Sequence, residues 1–282
     1  ALEAYVARID ELHAPVALSA DLSHATIPVA VTLAGADEGA MVEMTLYDPT
    51  GQEVGTASMS ALEGQASHTF TLSKPALWYP NGYGQQPLYR VVATLQQAGQ
   101  ELARRELRIG VRRLQLLQEP MADGSGFLFE VNNTPVFCGG VNWIPADLFP
   151  PRIPDESYRT LLELTAAANM TMIRVWGGGI YEADIFYDLC DELGLLVWQD
   201  FMFACGLYPA HPDFRESVRT EAEAQVKRLR HHPALALWCG NNEDYMLAYS
   251  FSRYDPAYEG DLATSPFPAR ALYEEVLPAV CA

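Results

Sequence analysis

The sequence predicts a multidomain protein in which an antiparallel immunoglobulin-like β-sandwich is followed by the first half of a (β/α)8 TIM barrel. The length of 282 residues is enough for about two domains. Short runs of alternating apolar residues recur through residues 14–111, with the period of half-buried strands. From residue 127 onward, apolar strand-like runs alternate with helical patterns, as in βα units around a parallel sheet. We therefore predict the sandwich at residues 1–111 and the half-barrel at residues 112–282.

The alternation in the first domain is clearest from Ile27 to Leu33 and again from Val42 to Leu46. A turn signal, Asp48–Gly51, follows the second of these runs. Further strands are predicted at residues 52–60, 67–73, 87–96 and 100–110. About seven short strands in roughly a hundred residues are typical of a β-sandwich. We expect this domain to act as a scaffold.

In the second domain, the strand-like runs and the helical patterns follow one another in pairs. The predicted strands are residues 134–141, 172–176, 195–200 and 235–239. The predicted helices are residues 155–168, 183–193 and 212–231, with a short helix near 268–277. A dinucleotide-binding glycine pattern is missing, which favours a barrel over a doubly wound sheet. Only four of eight barrel strands are recognisable, so we expect the remainder of the same protein to complete the barrel.

Composition and charge exclude several classes of function. The chain carries 36 acidic against 18 basic residues, a net charge of −18, so it lacks the excess of Lys and Arg that nucleic acid binding needs. No apolar run approaches the roughly 18 residues of a membrane span, and we expect no membrane partner. The five cysteines show no paired spacing that would indicate disulfides or zinc. Gly177–Gly179 lacks the Lys-Ser/Thr of a phosphate loop and His231-His232 lacks a further ligand, so we expect neither cofactor nor metal.

The residues at the carboxyl ends of the predicted parallel strands combine aromatic and polar side chains. In (β/α)8 barrels this edge of the sheet carries the active site. The four segments are Gly140–Asp147, Arg174–Gly179, Trp198–Phe201 and Trp238–Glu243. Aromatic rings stack on sugar faces, and amides and carboxylates bind hydroxyls. The sequence therefore predicts a carbohydrate site at this edge.

Several segments closely resemble motifs of the β-mannosidases of glycoside hydrolase family 2, over about residues 75–246. They are Leu77–Gly82 (LWYPNG), Asn142–Asp147 (NWIPAD), Arg174–Glu182 (RVWGGGIYE), Cys190–Gly194 (CDELG), Trp198–Cys205 (WQDFMFAC) and Gly240–Glu243 (GNNE). The resemblance implies a retaining hydrolase that removes terminal non-reducing β-D-mannose from an oligosaccharide or glycan. It also implies that the nucleophilic glutamate lies on a late barrel strand outside this chain.

The resemblance assigns the main catalytic role to Glu243 as general acid/base. Asn242 would donate to the sugar 2-hydroxyl, and Trp176 would stack on or wall the sugar. Arg174 would hold the second carboxylate ionised, although a structural ion pair with Asp200 is an alternative that can hold at the same time.

Three further residues, Asp200, Asn142 and Trp143, are expected as additional substrate contacts, with core or supporting roles as the alternative. Asp244 and Glu182 compete with Glu243 as carboxylates and are expected to be structural.

Two other functions remain open from the sequence. A β-galactosidase or β-glucuronidase of the same family would also place Asn-Glu after the fourth strand. A non-catalytic carbohydrate-binding or scaffold fragment is the third possibility, and a second glutamate on a later strand would exclude it.

Overall fold

Antiparallel β-structure makes up the first half of the chain, and all helices follow residue 149 in the described part. The computed structural model describes residues 5–37 and 39–282. Two compact units are present. One runs to Phe137 and includes His231–Pro233, and the other comprises Cys138–Arg230 and Ala234–Ala282.

The first unit consists of strands joined by turns. They are β1 (Arg8–His13), β2 (Ala17–Leu18), β3 (His24–Ala34), β4 (Met41–Tyr47), β5 (Glu53–Ser60), β6 (Gln65–Ser73), β7 (Tyr89–Gln97), β8 (Gln100–Ile109), β9 (Leu114–Leu117), β10 (Pro120–Met121), β11 (Gly124–Ser125), β12 (Leu128–Val131) and β13 (Thr134–Val136). The predicted strands from residue 27 to residue 110 are present, and β1 precedes the predicted start at residue 14.

Two four-stranded antiparallel sheets share one hydrophobic core. In the first sheet β3 pairs with β6 along one edge and with β1 and β2 along the other. The second sheet has the order β5-β4-β7-β8. Every second residue of β3 and β4 is buried, including Ile27, Val29, Val42 and Met44, so the period-two pattern of the sequence supplies the core.

The segment after β8 forms smaller antiparallel sheets, and here one predicted strand was wrong in extent. Residues 134–141 were expected to form a single strand, but Thr134–Val136 pairs antiparallel with β12. Asn132 and Asn133 both have positive φ, 51° and 60°, which makes the tight two-residue turn between β12 and β13. Strand β9 pairs with the other edge of β12, and β10 and β11 form a separate hairpin.

The second unit contains a parallel sheet with the order β14-β15-β16-β17. Its strands are β14 (Gly140–Trp143), β15 (Met172–Val175), β16 (Leu196–Asp200) and β17 (Leu235–Cys239). Its α-helices are α1 (Asp155–Ala167), α2 (Asp184–Leu193), α3 (Pro212–Leu229), α4 (Asp244–Ser250) and α5 (Leu277–Cys281). Short 3₁₀ turns lie at Pro150–Arg152 and Leu262–Thr264, and a π-helical turn at Leu272–Val276 leads into α5.

Helices and strands alternate in this unit as the sequence predicts. Gly194 ends α2 in the left-handed conformation, with φ 74°. The buried face of α3, which includes Val218, Ala222 and Val226, packs in a cluster with Phe201 and Leu272. The predicted helix near 268–277 corresponds to the π-helical turn and the start of α5, whereas α4 was not predicted. Among the described residues, no helix combines the length and apolar character needed to cross a membrane.

Candidate active site

Several polar side chains of the site lie on one face of the parallel sheet. Asn142, Arg174 and Trp198 are paired in register across β14, β15 and β16. In-register neighbours point to the same face, and so does a residue two positions further along a strand. Asp200 therefore shares this face at the carboxyl end of β16. This is the edge of the sheet at which the sequence predicted the carbohydrate site.

Asp200 is a fully buried carboxylate that four N–H groups bind. Arg174 donates from Nη2 to Oδ2 at 2.6 Å and from Nε to Oδ1 at 3.2 Å. The Gly177 amide donates to Oδ2 at 3.0 Å and the Trp198 indole to Oδ1 at 3.0 Å. A buried charge needs such partners. The ion pair between Arg174 and Asp200 is the structural alternative that the sequence analysis gave for Arg174.

Asn242 connects this ion pair to the segment that follows β16. Its Oδ1 accepts a hydrogen bond from Arg174 Nη2 at 2.8 Å, and its Nδ2 donates to Cys205 Sγ at 3.5 Å. Its main-chain amide donates to Phe203 O, and its carbonyl accepts from the Cys205 amide, both at 2.9 Å. The segment around Ala204 thus forms a parallel bridge with Asn242 and fixes its position.

Glu243 lies exposed between β17 and α4. Its backbone is left-handed, with φ 65°, and its carbonyl accepts the first hydrogen bond of α4, from Leu247. Its Oε2 accepts a hydrogen bond from the Cys205 thiol at 3.5 Å. A continuous chain of hydrogen bonds therefore runs from Asp200 through Arg174, Asn242 and Cys205 to Glu243.

Trp176 is half-buried in the loop after β15, and the glycines beside it are packed against protein atoms. A Cβ at Gly177 would lie 2.5 Å from the Phe203 carbonyl oxygen, and one at Gly178 would lie 2.1 Å from the Trp176 ring. The Gly177 amide binds Asp200, so the loop is tied to the ion pair. Because Gly177 has no Cβ, the segment after β16 can pack closely against it. Because Gly178 has no Cβ, the Trp176 ring can lie beside it.

Trp143 lies on the opposite face of the sheet from Asn142. Its side chain is buried, its indole donates to Glu182 Oε1 at 2.8 Å, and its ring packs on Phe186 at 4.9 Å. Tyr158 donates to the other oxygen of Glu182 at 2.6 Å. The structure does not bring Trp143 to the ion pair, and it places Glu182 in the core. Asn142 is exposed on the site face.

Asp244, the other competing carboxylate, is fully buried and binds two neighbouring segments. It accepts hydrogen bonds from the Tyr273 hydroxyl and, at 2.8 Å, from the Gly206 amide. Burial raises the pKa of Asp244 above its ordinary value, although these hydrogen bonds act in the opposite direction. Its contacts tie the Cys205 segment to the π-helical turn.

Two residues of the site were not assigned from the sequence. Trp198 lies on the site face, 5.9 Å from the Arg174 guanidinium, and its position two residues before Asp200 was the signal that could have identified it. Cys205 contacts both Asn242 and Glu243, and no local sequence signal indicates this contact. It depends on the pairing of two segments that lie far apart in the chain.

Comparisons with known proteins point to one family. Residues 7–112 match the family described as "Glycosyl hydrolases family 2". "Beta-mannosidase B" of Thermothelomyces thermophilus is 46% identical over 291 residues, covering 100% of this chain and 33% of that protein. The crystal structure of the β-D-mannosidase from Dictyoglomus thermophilum has a TM-score of 0.86 and 39% identity, covering 99% of this chain and 34% of that one.

A more distant structure shares the fold alone. The β-glucuronidase of Parabacteroides merdae has a TM-score of 0.74 at 20% identity, over 84% of this chain and 30% of that one. The chain thus spans about a third of the length of the proteins that it matches.

Proposed function

This chain belongs to glycosyl hydrolase family 2 and resembles the β-mannosidases over its whole length; from that premise we propose that it supplies the acid/base half of a β-mannosidase active site. The complete enzyme would remove terminal non-reducing β-D-mannose from oligosaccharides or glycans. We use "the full-length protein" for a protein that carries this chain together with the regions that its relatives have beyond it.

We further propose that the two antiparallel sheets are an immunoglobulin-like sandwich at residues 1–111. The sheet β14-β15-β16-β17 would be the first half of a (β/α)8 barrel, within a domain that begins at residue 112. The parallel strands and the helices between them support this assignment. The remainder of the barrel would come from the rest of the same protein.

Glu243 would be the general acid/base of a retaining mechanism. In such a mechanism two carboxyl groups lie about 5–5.5 Å apart, one protonating the leaving oxygen while the other attacks the anomeric carbon. After the glycosyl-enzyme forms, the same residue takes a proton from the attacking water. The nucleophile would come from outside this chain. The exposure of Glu243 at the edge of the site supports a role in exchanging protons with substrate and water.

The other residues would bind and orient the sugar. Asn242 is held by Arg174 and Cys205 and is the candidate contact for the 2-hydroxyl, which strengthens as charge develops on the ring. Trp176 would wall the sugar, and Asn142 would offer an exposed amide on the same sheet face. Arg174 and Asp200 would hold this arrangement, with the part-exposed guanidinium also available to the second carboxylate.

Trp143 was also expected to contact substrate. Because Trp143 is buried beside Glu182 and Phe186, we propose instead that it has a structural role and stabilises the start of the loop after β14.

The observation that carries the proposal is the hydrogen-bonded chain from Asp200 to Glu243. It brings the candidate acid Glu243 and the candidate sugar contact Asn242 to one edge of a parallel sheet, next to the ion pair that holds them. The direct test compares the full-length protein on nitrophenyl β-mannoside, β-galactoside and β-glucuronide. We expect a clear preference for the mannoside, and a preference for either other sugar would favour the corresponding alternative activity.

The role of Glu243 is tested by Glu243→Gln in the full-length protein. Proton transfer from a general acid is worth about 10²–10⁴-fold in rate. We expect that loss for mannosides with poor leaving groups, a smaller loss in glycosylation for activated aryl mannosides, and partial rescue of deglycosylation by azide.

Glu259→Gln is the matched control, because it makes the same change at an exposed glutamate of the second unit. It should leave the rates unchanged. Equal losses for Glu243→Gln on every substrate, without azide rescue, would mean that Glu243 is not the acid/base. Absence of hydrolysis by the full-length protein would favour a non-catalytic carbohydrate-binding or scaffold role.

A further inference from the structure

The segment after β16 holds a cysteine against the candidate acid/base. Cys205 is exposed and has a left-handed backbone, with φ 52°, as does Glu243 with φ 65°. Glycine adopts this conformation at no steric cost, whereas residues with a Cβ adopt it at an energetic cost. Two neighbouring side chains are therefore kept at positions where glycine would relieve strain.

The backbone at Cys205 and at the next residue is held by hydrogen bonds to two buried residues. The Cys205 amide donates to Asn242 O at 2.9 Å, and the following amide, that of Gly206, donates to buried Asp244 at 2.8 Å. Both acceptors flank Glu243 in the sequence. The thiol and the carboxylate are consequently placed by the same pair of segments, and their separation does not depend on a flexible loop.

The polarity of the contacts fits a thiol. Asn242 Nδ2 can only donate, whereas Glu243 Oε2 accepts here, so a group between them must accept from one and donate to the other. Partial desolvation and the neighbouring Glu243 carboxylate raise the pKa of the Cys205 thiol, which keeps it protonated and able to donate. A serine hydroxyl could make the same two contacts.

We infer that Cys205 is a positioning residue for Glu243, which fixes the carboxyl group by donating to Oε2 and directs the catalytic proton to Oε1. Among the described residues, Oε1 accepts no hydrogen bond, so it remains available to the leaving oxygen. A donor at Oε2 favours protonation at the other oxygen. This inference rests on the proposed role of Glu243 and adds the group that orients it.

The test uses a series of aryl β-mannosides with decreasing leaving-group ability and the full-length protein with Cys205→Ala, Cys205→Gly or Cys205→Ser. For poor leaving groups we expect Cys205→Ala and Cys205→Gly to lower kcat about five- to twentyfold, with little change in KM. This loss is smaller than the effect of proton transfer itself, which is about 10²–10⁴-fold. For 2,4-dinitrophenyl β-mannoside, which needs no acid, the glycosylation rate should stay within about twofold of wild type. Serine should restore kcat to within about twofold.

Cys205→Gly keeps the test decisive if Cys205→Ala folds poorly, because glycine suits the left-handed backbone. Cys281→Ser, a change at another exposed cysteine of the second unit, should leave all rates unchanged. Equal losses on all substrates, or wild-type rates for both Ala and Gly, would overturn the inference. If Glu243→Gln shows its expected leaving-group dependence in parallel, only the role of Cys205 fails. If the wild type does not hydrolyse β-mannosides, the proposed function fails and the inference fails with it.

Discussion

Asp200 is the residue on which the geometry of the site depends. Its buried carboxylate is neutralised by Arg174 and also binds the Gly177 amide and the Trp198 indole. These donors belong to two strands and one loop. Because a buried carboxylate requires satisfied partners, this single side chain sets the relative positions of three parts of the site.

We predict that Asp200→Ala lowers both stability and activity. Arg174 and the Gly177 amide would lose their acceptor, and an unpaired buried charge or donor costs about 2–4 kcal/mol. We expect a melting temperature several degrees lower and a kcat lower by about 10²-fold, since displaced binding groups have effects of that size. Calorimetry and initial rates of the full-length protein measure both.

Asp123→Ala is the control, because Asp123 is exposed in a turn of the first unit and should change stability by less than about 0.5 kcal/mol. An Asp200→Ala variant with wild-type melting temperature and rate would contradict the central role of this carboxylate.

Asp244 should make stability fall as pH rises. Its ordinary pKa is 3.8 and burial raises it in the folded state, so the native protein retains a proton that the unfolded chain has released. The native state then binds more protons than the unfolded state between the two pKa values, and the free energy of unfolding decreases across that interval. The contribution is fully present below about pH 3.8 and is lost as pH rises through the raised pKa.

The measurement compares the free energy of unfolding of wild type and Asp244→Asn over the mildly acidic to neutral range. Asparagine does not titrate, so wild type should lose stability relative to the variant as pH rises, and the difference should then become constant. Glu259→Gln should show no such trend. A wild type that gains stability relative to Asp244→Asn with rising pH would show that hydrogen bonding, not burial, dominates at this carboxyl.

At the scale of elements, the loop after β15 joins the ion pair to the tryptophan that we propose walls the sugar. Gly177 packs against the carbonyl oxygens of Phe201 and Phe203, whereas Gly178 packs against the Trp176 ring. The first contact is with backbone, which cannot move without distorting the segment after β16. The second is with a side chain that can rotate.

We therefore predict different effects of the same substitution at adjacent positions. Gly177→Ala should destabilise the full-length protein by about 1–3 kcal/mol through overpacking. Gly178→Ala should preserve stability more closely but displace Trp176, and the loss of ring stacking worth about 1 kcal/mol should raise KM about five- to tenfold. Thermal unfolding and steady-state kinetics distinguish the two.

Gly55→Ala serves as control, because a Cβ there would meet the Phe70 ring at an ordinary 3.5 Å. If Gly178→Ala bound substrate as tightly as wild type, Trp176 would not wall the sugar.

At the scale of the whole molecule, the parallel sheet of the second unit has two outer strands, β14 and β17, within the described residues. Strand β17 borders a cavity of about 550 Å³ that apolar side chains including Leu237, Trp238 and Leu277 help to line. An outer strand beside apolar surface favours association with other chains. This arrangement fits a sheet that further strands would extend.

We predict that residues 1–282 expressed alone do not hydrolyse β-mannosides and self-associate despite a charge of −18. The retaining mechanism needs a second carboxyl opposite Glu243, and Asp200 and Glu182 are buried in structural contacts. Size-exclusion chromatography and a nitrophenyl β-mannoside assay check both statements. The full-length protein, as control, should be active and soluble. A monomeric, active 282-residue chain would overturn the two-carboxyl mechanism and the half-barrel proposal together.

The sequence alone predicted the strands from β3 to β8, the alternation of β15 to β17 with helices, and the edge of the sheet that carries the polar residues. These features follow from local periodicity and from turn residues, which a single chain segment contains. The resemblance of six segments to β-mannosidases also came from the sequence, and the comparisons confirmed the family. The Asn132-Asn133 turn was present in the sequence too, but its effect on residues 134–141 was missed.

Only the tertiary structure decided which side chains meet. Trp143 and Asn142 are adjacent in the sequence, yet one packs on Phe186 and the other is exposed on the site face. The alternation of a strand separates two faces but does not say which face the site occupies. The contact of Cys205 with Glu243 depends on the pairing of segments 38 residues apart. Such pairing is set by the register of neighbouring strands and by buried groups such as Asp244, and these are properties of the packed chain as a whole.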